Sequence, residues 1–326
     1  MPFQNTNVKA NRRRLVLVAT ACLLWISVTS YSVAIAMEQK SSTVVGHEES
    51  GKDQAANAGS VHVTLPLQKG SLRFAVIGDS GTGDRDQLQV AGQMEAYRRV
   101  TNFDFVIMLG DNIYGNHSPG DFEKKFAEPY KPLLDAGVKF YASLGNHDDP
   151  RKEPLYKPFN MGGKRYYSFS KGDTEFFALD SNYMDPKQLD WVGQNLRNSH
   201  ATWKICFFHH PLYNDGRHHG PDRDLRSQLL PLFQRYGVNV VFSGHEHVYE
   251  RMKLEDNIDY FVLGNSGKLM KHDFRGPGER VKGFDEDRTF MIVEIAGDKM
   301  YFQVISRTGE TVDSGTLPRS STNPDK

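Results

Sequence analysis

The sequence has very little cysteine and no excess of charge of either sign. Cys22 and Cys206 are the two cysteines among 326 residues, too few for a disulfide framework. Lysine and arginine together number 40, as do aspartate and glutamate. Basic residues form a tract only at the amino terminus, which argues against general nucleic-acid binding. After residue 70 there is no internal repeat and no low-complexity block. The length allows one large domain or two smaller ones.

The amino terminus has the pattern of a targeting segment. Lys9 and Arg12–Arg14 precede an uncharged, mostly apolar run from Leu15 to Ala36, about the length that crosses a bilayer. Small residues before position 37 fit signal-peptidase cleavage after Ala36, while the length of the run fits an uncleaved anchor equally well. In both cases the positive charges place the rest of the chain outside the cytoplasm, periplasmic or secreted. An uncleaved segment would attach the protein to the membrane.

Composition divides the remaining chain into three parts. Residues 37–70 are polar with little periodicity, so we predict a flexible linker. Residues 71–318 carry all the strand and helix patterns and are expected to form one domain. Residues 319–326 are a short polar tail.

Within residues 71–318, apolar runs typical of buried strands alternate with segments of helical spacing. We predict strands at 72–78, 105–109, 138–144, 204–208 and 238–242, and a hairpin of 166–169 with 174–179. We predict helices at 85–100 (with Leu88 among the apolar residues at helical spacing), 121–136, 186–195 and 225–236, and antiparallel strands at 260–263, 289–295 and 300–305.

Five of the predicted strands end in side chains that bind metals. These are Asp79, Asp111, Asn146, His209, and His245 with His247. Ligands of α/β proteins collect beyond the carboxyl ends of the strands. Oxygen and imidazole donors without thiolate suit Fe, Zn or Mn better than a structural zinc finger. Two carboxylates, one amide and three imidazoles are about enough for two metals that share a carboxylate.

The ordered motifs resemble those of the calcineurin-like metallophosphoesterases. They are Gly78-Asp79-Ser80-Gly81, Gly110-Asp111-Asn112, Gly145-Asn146-His147-Asp148, a strand-end histidine, and Gly244-His245-Glu246-His247. Within that superfamily the chain is most similar to the small, tartrate-resistant kind of purple acid phosphatase. Tyr114 stands three residues after Asp111, where that family has a phenolate ligand. His219-Gly220-Pro221 matches its substrate-side histidine.

The resemblance implies two metal sites that share one carboxylate. The first would hold Fe(III) through Asp79, Asp111, Tyr114 and His247. The second would hold Fe, Zn or Mn through Asp111, Asn146, His209 and His245. Of the adjacent His209 and His210, the first matches the ligand because it stands two residues before Pro211. His147 and His219 would contact the phosphate and its leaving oxygen as catalytic residues.

The resemblance also implies the fold and the reaction. The fold would be an α/β, four-layer α/β/β/α sandwich of two mixed sheets. The reaction would be acid-phosphatase hydrolysis of phosphomonoesters by attack of metal-bound hydroxide. A phosphodiesterase or nucleotidase on the same scaffold is the alternative, followed by an inactive, membrane-tethered binding protein. The partner is a phosphate ester rather than a nucleic acid, and we expect a monomer.

Two features depart from the mammalian members of that family. They carry a disulfide that the lone Cys206 of the domain cannot form. The stretch from Ser181 to Leu189 is shorter than their loop over the site. We therefore expect an open site.

Overall fold

The computed structural model describes residues 61–252, 257–274, 276 and 278–319. The predicted targeting segment, most of the predicted linker and nearly all of the polar tail lie outside these residues. No helix within the described ranges is long and apolar enough to cross a membrane.

Two mixed β-sheets form the centre of the domain. Sheet 1 has the order β13-β12-β11-β1-β2-β3, and sheet 2 has the order β10-β8-β9-β7-β6-β5-β4. The strands are β1 (Leu72–Ile77), β2 (Phe105–Met108), β3 (Lys139–Ala142), β4 (Tyr167–Lys171), β5 (Thr174–Ala178), β6 (Trp203–Phe208), β7 (Val240–Ser243), β8 (Tyr249–Met252), β9 (Asp259–Leu263), β10 (Arg280–Phe284), β11 (Thr289–Ala296), β12 (Lys299–Ser306) and β13 (Thr311–Pro318).

The three long helices each begin at an aspartate cap. Among the residues that the structure describes, the α-helices are α1 (Arg85–Thr101), α2 (Pro119–Phe122), α3 (Lys131–Asp135), α4 (Pro186–Asn198) and α5 (Arg223–Tyr236). Aspartates cap the three long helices: Asp84 accepts from Gln87 N, Asp185 from Gln188 N and Asp222 from Leu225 N. Such caps satisfy backbone donors that the first turn leaves open. Gly237, at φ 70°, ends α5, as expected for a residue without a Cβ.

Alternation along the strands of sheet 2 builds two separate cores. Phe176 and Phe207 point into the core between the sheets, where the Phe74 and Phe176 ring centroids are 5.2 Å apart. Phe177 and Phe208 point the other way, into a second core with α4 and α5. Because successive residues of a strand face opposite sides of the sheet, each strand supplies side chains to both cores. The predicted layered α/β sandwich of two mixed sheets is confirmed.

Three parallel strands of sheet 1 and two of sheet 2 place the predicted metal-binding residues at one edge. β1, β2 and β3 run parallel, as do β6 and β7. Their carboxyl ends therefore face the same way within each sheet, and each is followed by one of the side chains predicted from the sequence.

Several predictions about local structure were wrong. The helix predicted over 121–136 is divided into α2, a π-helical turn (Glu123–Ala127) and α3, with Pro132 in the first turn of α3. A proline lacks the N–H that would continue the helix through it. Leu88 does not face the core and is 51% exposed. Strands β8, β10 and β13 were missed.

The last ten residues of the predicted linker are part of the fold. Leu65 is buried in the main core. The buried Glu294 accepts hydrogen bonds from the backbone N–H groups of Leu67 and Gln68, and Gln303 Nε2 donates to the carbonyl of His62. Residues 61–70 are therefore held by partners more than two hundred positions away in sequence, which leave no local signal in the segment.

Candidate metal centre

Four candidate metal-ligand atoms converge beside the end of β6; we call this group the His209 cluster. From His209 Nε2, Asn146 Oδ1 lies at 2.9 Å, His245 Nδ1 at 3.0 Å and Asp111 Oδ1 at 3.5 Å. His209 Nδ1 lies 2.9 Å from the carbonyl oxygen of Leu109, so Nδ1 carries the proton and donates it. His209 Nε2 then presents a lone pair to two oxygens that are also acceptors. Such a convergence of lone pairs is suited to a cation.

A second group, the Tyr114 cluster, lies beside the ends of β1 and β7. The hydroxyl of Tyr114 is 3.4 Å from Asp79 Oδ1 and 3.5 Å from His247 Nε2, and these last two atoms are 3.4 Å apart. Ligands that each lie about 2.0–2.2 Å from one metal are separated by roughly 3 Å or a little more. The triangle has the size of a metal site.

Asp111 connects the two clusters. Its ligand atom lies within 4.8 Å of those of both Asp79 and His209. The same Asp111 Oδ1 accepts a hydrogen bond of 2.9 Å from the backbone N–H of His147. Asp111 is 1% exposed and Asp79 is fully buried, so both carboxylates are removed from water that would screen their charge.

The backbone at three of the candidate ligands is left-handed. Asp79, Asp111 and His245 have φ values of 52°, 50° and 71°. Non-glycine residues adopt this conformation at a cost, and such residues concentrate at functional sites. Glycines allow the strand ends to meet: a Cβ on Gly145 would lie 2.2 Å from Asp111 Oδ1, and one on Gly244 would lie 2.4 Å from Asp79 Oδ2.

Burial opposes charge on the ligands when no cation is bound. It raises the pKa of the Asp79 carboxyl, an effect that the nearby Asp111 increases. Burial, then Asp79 and Asp111, raises the pKa of the Tyr114 hydroxyl well above its usual value. Burial lowers the pKa of His209, and it lowers that of His245 to about 2. The imidazoles are therefore neutral, the form that binds metals. A Tyr114 phenolate would require a strongly Lewis-acidic cation.

The two histidines predicted as catalytic residues lie at the rim of the clusters, and both are exposed. The ring of His147 is 5.0 Å from that of Tyr114. The ring of His219 stacks on that of His245 at 4.0 Å. Thus all nine residues predicted from the sequence meet in one region.

Two neighbours of the clusters were not predicted as functional. The ammonium group of Lys268 lies over the Tyr114 ring, 4.4 Å from its centroid. His210 is a possible ligand, because its ring nitrogen lies within 4.8 Å of those of His209 and His245. However, the Nδ1 atom of His210 lies 2.9 Å from Ser181 Oγ. The pair His209-His210 was visible in the sequence, whereas nothing near Lys268 in the sequence points to a role.

An open cavity of about 720 Å³ adjoins the His209 cluster. Asn146 and His210 line it, as do Arg165 and the short segment Ser181–Tyr183. Tyr183 is 61% exposed. The cavity gives a substrate access to the clusters.

Comparison with known proteins identifies the family. The sequence model of the family described as "Calcineurin-like phosphoesterase" matches residues 72–249, more than half of the chain. The chain belongs to this family. The match begins at β1 and ends within β8, so it includes all nine candidate residues. The resemblance seen in the sequence is thereby confirmed.

Two of the proteins that are similar in sequence are named as acid phosphatases. Purple acid phosphatase 7 of Arabidopsis thaliana is 27% identical over 298 residues, covering 80% of this chain and 90% of its own length. Tartrate-resistant acid phosphatase type 5 of Rattus norvegicus is 25% identical over 308 residues, covering 79% and 93%. Among solved structures, GAP50, the anchor in the inner membrane complex of Plasmodium, aligns with a TM-score of 0.68 at 19% identity, covering 78% of this chain and 90% of its own. This last likeness concerns the fold alone.

Proposed function

We propose that this chain is an exported phosphomonoesterase of the purple acid phosphatase type that works with two metal ions. The observation that carries the proposal is the position of Asp111 between two groups of lone-pair donors. One metal would be held by the Tyr114 cluster with Asp111, and the other by the His209 cluster. The similarity to proteins named purple acid phosphatases supports the same conclusion.

The donor sets suit different ions. A phenol, two carboxylates and one imidazole favour Fe(III), while one shared carboxylate, one amide and two imidazoles accept Fe, Zn or Mn. When bound, two such ions neutralise the anionic ester and lower the pKa of water so that it can act as the nucleophile. The remaining tasks, holding the phosphate and protonating the leaving oxygen, would be carried out by side chains of this chain.

His147 and His219 are proposed to act on the phosphate. Both rings are exposed beside the clusters, His147 next to Tyr114 and His219 next to His245, so an ester bound at the clusters would lie beside them. His219 is the candidate for protonating the leaving oxygen. A leaving alkoxide requires a proton, and histidine is the most common side chain for this step. His147, beside Tyr114, is proposed to hold a non-bridging phosphate oxygen.

A nucleotidase is the second candidate, because the cavity beside Asn146 is large enough for more than a small alcohol. The exposed ring of Tyr183 could stack against a nucleobase in that cavity. An inactive anchor protein is less consistent with the site, since all seven candidate ligands are present in the sequence and lie in the two clusters.

Metal analysis together with hydrolysis assays tests the function. The full-length protein, purified without added metal, should contain two metal ions and hydrolyse p-nitrophenyl phosphate. A nucleoside monophosphate and bis(p-nitrophenyl) phosphate, assayed in parallel, separate monoesterase, nucleotidase and diesterase activities. A protein that binds metal but hydrolyses none of these esters would contradict the enzyme proposal.

Export is proposed from the charged and apolar amino-terminal segment. A reporter fused after residue 70 should reach the extracytoplasmic side. Intact mass of the mature protein decides between the two forms, because a chain that starts at Met37 has lost the segment and has no anchor.

A further inference from the structure

The loop between β6 and α5 carries His219, and buried carboxylates hold its backbone. Glu250 accepts from the N–H of Asp215 at 2.9 Å, and Asp273 accepts from the N–H of Arg217 at 3.1 Å. Glu246 and Glu250 are fully buried, and Asp273 is 7% exposed. The loop is therefore fixed by three acidic side chains from outside it.

Glu246 holds the loop at His219 itself. Its Oε1 accepts from the backbone N–H of His219 at 2.7 Å and from that of Gly220 at 2.6 Å. Hydrogen bonds from N–H groups to a carboxylate are shorter and stronger than those to neutral acceptors. The loop also lies directly against this carboxylate, because a Cβ on Gly216 would be 2.7 Å from Glu246 Oε2.

The position of this backbone determines the position of the His219 ring. The ring stacks on that of His245 at 4.0 Å, with 28° between the planes, and also contacts the ring of His218, on the same loop, at 4.2 Å. The His219 side chain as a whole is exposed. An exposed side chain on a loop is fixed only as well as its backbone is. In the sequence, Glu246 stands between His245 and His247, so one short segment provides two candidate ligands and the group that holds His219.

We propose that Glu246 is a positioning residue, which holds His219 where it can protonate the leaving oxygen of the ester. The inference rests on the proposed phosphomonoesterase function. It assigns Glu246 no contact with metal or substrate; its effect on the reaction passes through His219.

Leaving-group dependence tests the proposal in the metal-loaded, full-length protein. Glu246→Ala is compared with His219→Asn on p-nitrophenyl phosphate, whose leaving group needs no proton, and on an alkyl monophosphate, whose leaving group does. Because general acid catalysis contributes about 100-fold or more, Glu246→Ala should lower kcat for the alkyl ester at least about tenfold. The aryl ester should change by less than about threefold, as in His219→Asn.

Two further variants separate positioning from general support of the fold. Glu246→Gln keeps an oxygen that can accept from both N–H groups, so it should restore most of the alkyl-ester rate. Glu250→Ala removes an equally buried carboxylate of β8 that holds the same loop at Asp215, four residues before His219, and not at His219 itself. It should leave the ratio of alkyl to aryl rates unchanged. If Glu246→Ala does not fold, the shorter Glu246→Asp takes its place.

The double variant His219→Asn/Glu246→Ala gives the decisive comparison. If Glu246 acts only through His219, the double variant should be no slower on the alkyl ester than His219→Asn alone. Metal content and calorimetric affinity for inorganic phosphate provide readouts that do not depend on turnover. Glu246→Ala should retain both metal ions and bind phosphate about as the wild type does.

Three results would overturn the inference: equal loss on both esters, a further loss in the double variant, or loss of metal from Glu246→Ala. The last would show that Glu246 supports His245 and His247 instead. In each case an active wild type leaves the proposed function standing. A wild type that hydrolyses no phosphomonoester would overturn both.

Discussion

The strands of sheet 1 are followed by oxygen donors, namely Asp79, Asp111 and Asn146. The strands of sheet 2 are followed by imidazoles, namely His209, His245 and His247. Both candidate carboxylates therefore lie on the sheet 1 side together with one neutral amide, and the three imidazoles lie on the sheet 2 side. In the proposed centre, the carboxylates of sheet 1 would set the total charge that the site can hold, and the histidines of sheet 2 would complete the coordination.

The loops on the two sides are held in the same manner by different residues. On the sheet 1 side, the buried Asp148 accepts from the backbone N–H groups of Asn112, Ile113 and Gly145 at 2.7–3.2 Å. On the sheet 2 side, Glu246 accepts from those of His219 and Gly220. Each side thus has a carboxylate that binds no metal in the proposal but fixes the loops that carry functional side chains.

The largest expected effect comes from removing the side chain common to both clusters. Asp111→Ala should abolish activity and remove most of the bound metal, because one carboxylate serves both ions. Metal analysis and an aryl phosphate assay measure this. The control is Asp104→Ala, which replaces an exposed aspartate just before β2, the strand that Asp111 follows. This variant should retain both metals. If Asp111→Ala retained both metals, the bridging role would be refuted.

Asp148→Asn tests whether the buried carboxylate of sheet 1 fixes the ligand loops. An amide in its place would direct an NH₂ group at backbone donors, so we expect a loss of about 2–3 kcal/mol in the free energy of unfolding. Metal affinity should fall as well, since Asp111 and Asn146 flank these donors. Urea denaturation and metal titration are the measurements. The exposed Asp173→Asn in the β4–β5 turn should shift stability by less than about 0.5 kcal/mol.

Tyr114→Phe should have the smallest effect on folding and the most specific effect on one ion. If Tyr114 is a phenolate ligand to Fe(III), the wild type should be coloured by charge transfer, and this variant should lose the colour and bind iron less well. Asp79, Asp111 and His247 would still hold a divalent ion. Visible absorption and metal analysis test this, with the exposed Tyr183→Phe as control.

A colourless, iron-free and fully active wild type would contradict the role of Tyr114. It would favour Mn or Zn at both sites and leave the family assignment unchanged.

The amino-acid sequence by itself determined the candidate ligands, because each follows one of five strands at a distance of a few residues. A buried strand and the polar residue after it form a local pattern, and five such patterns in order were enough to predict that they meet. Helix starts at Asp84, Asp185 and Asp222 are equally local, since a cap bonds to the N–H three residues later.

Only the tertiary structure decided which polar residues hold the site in place. Asp148, Glu246 and Glu250 accept hydrogen bonds from backbone N–H groups that lie up to 36 residues away in sequence. Nearly every residue has a backbone N–H, so the sequence does not show which of them a carboxylate will bind. The same reason explains residues 61–70, which fold because Glu294 and Gln303 are buried beside them. Helical spacing likewise placed Leu88 among the apolar residues of α1, although packing against the rest of the fold left it exposed.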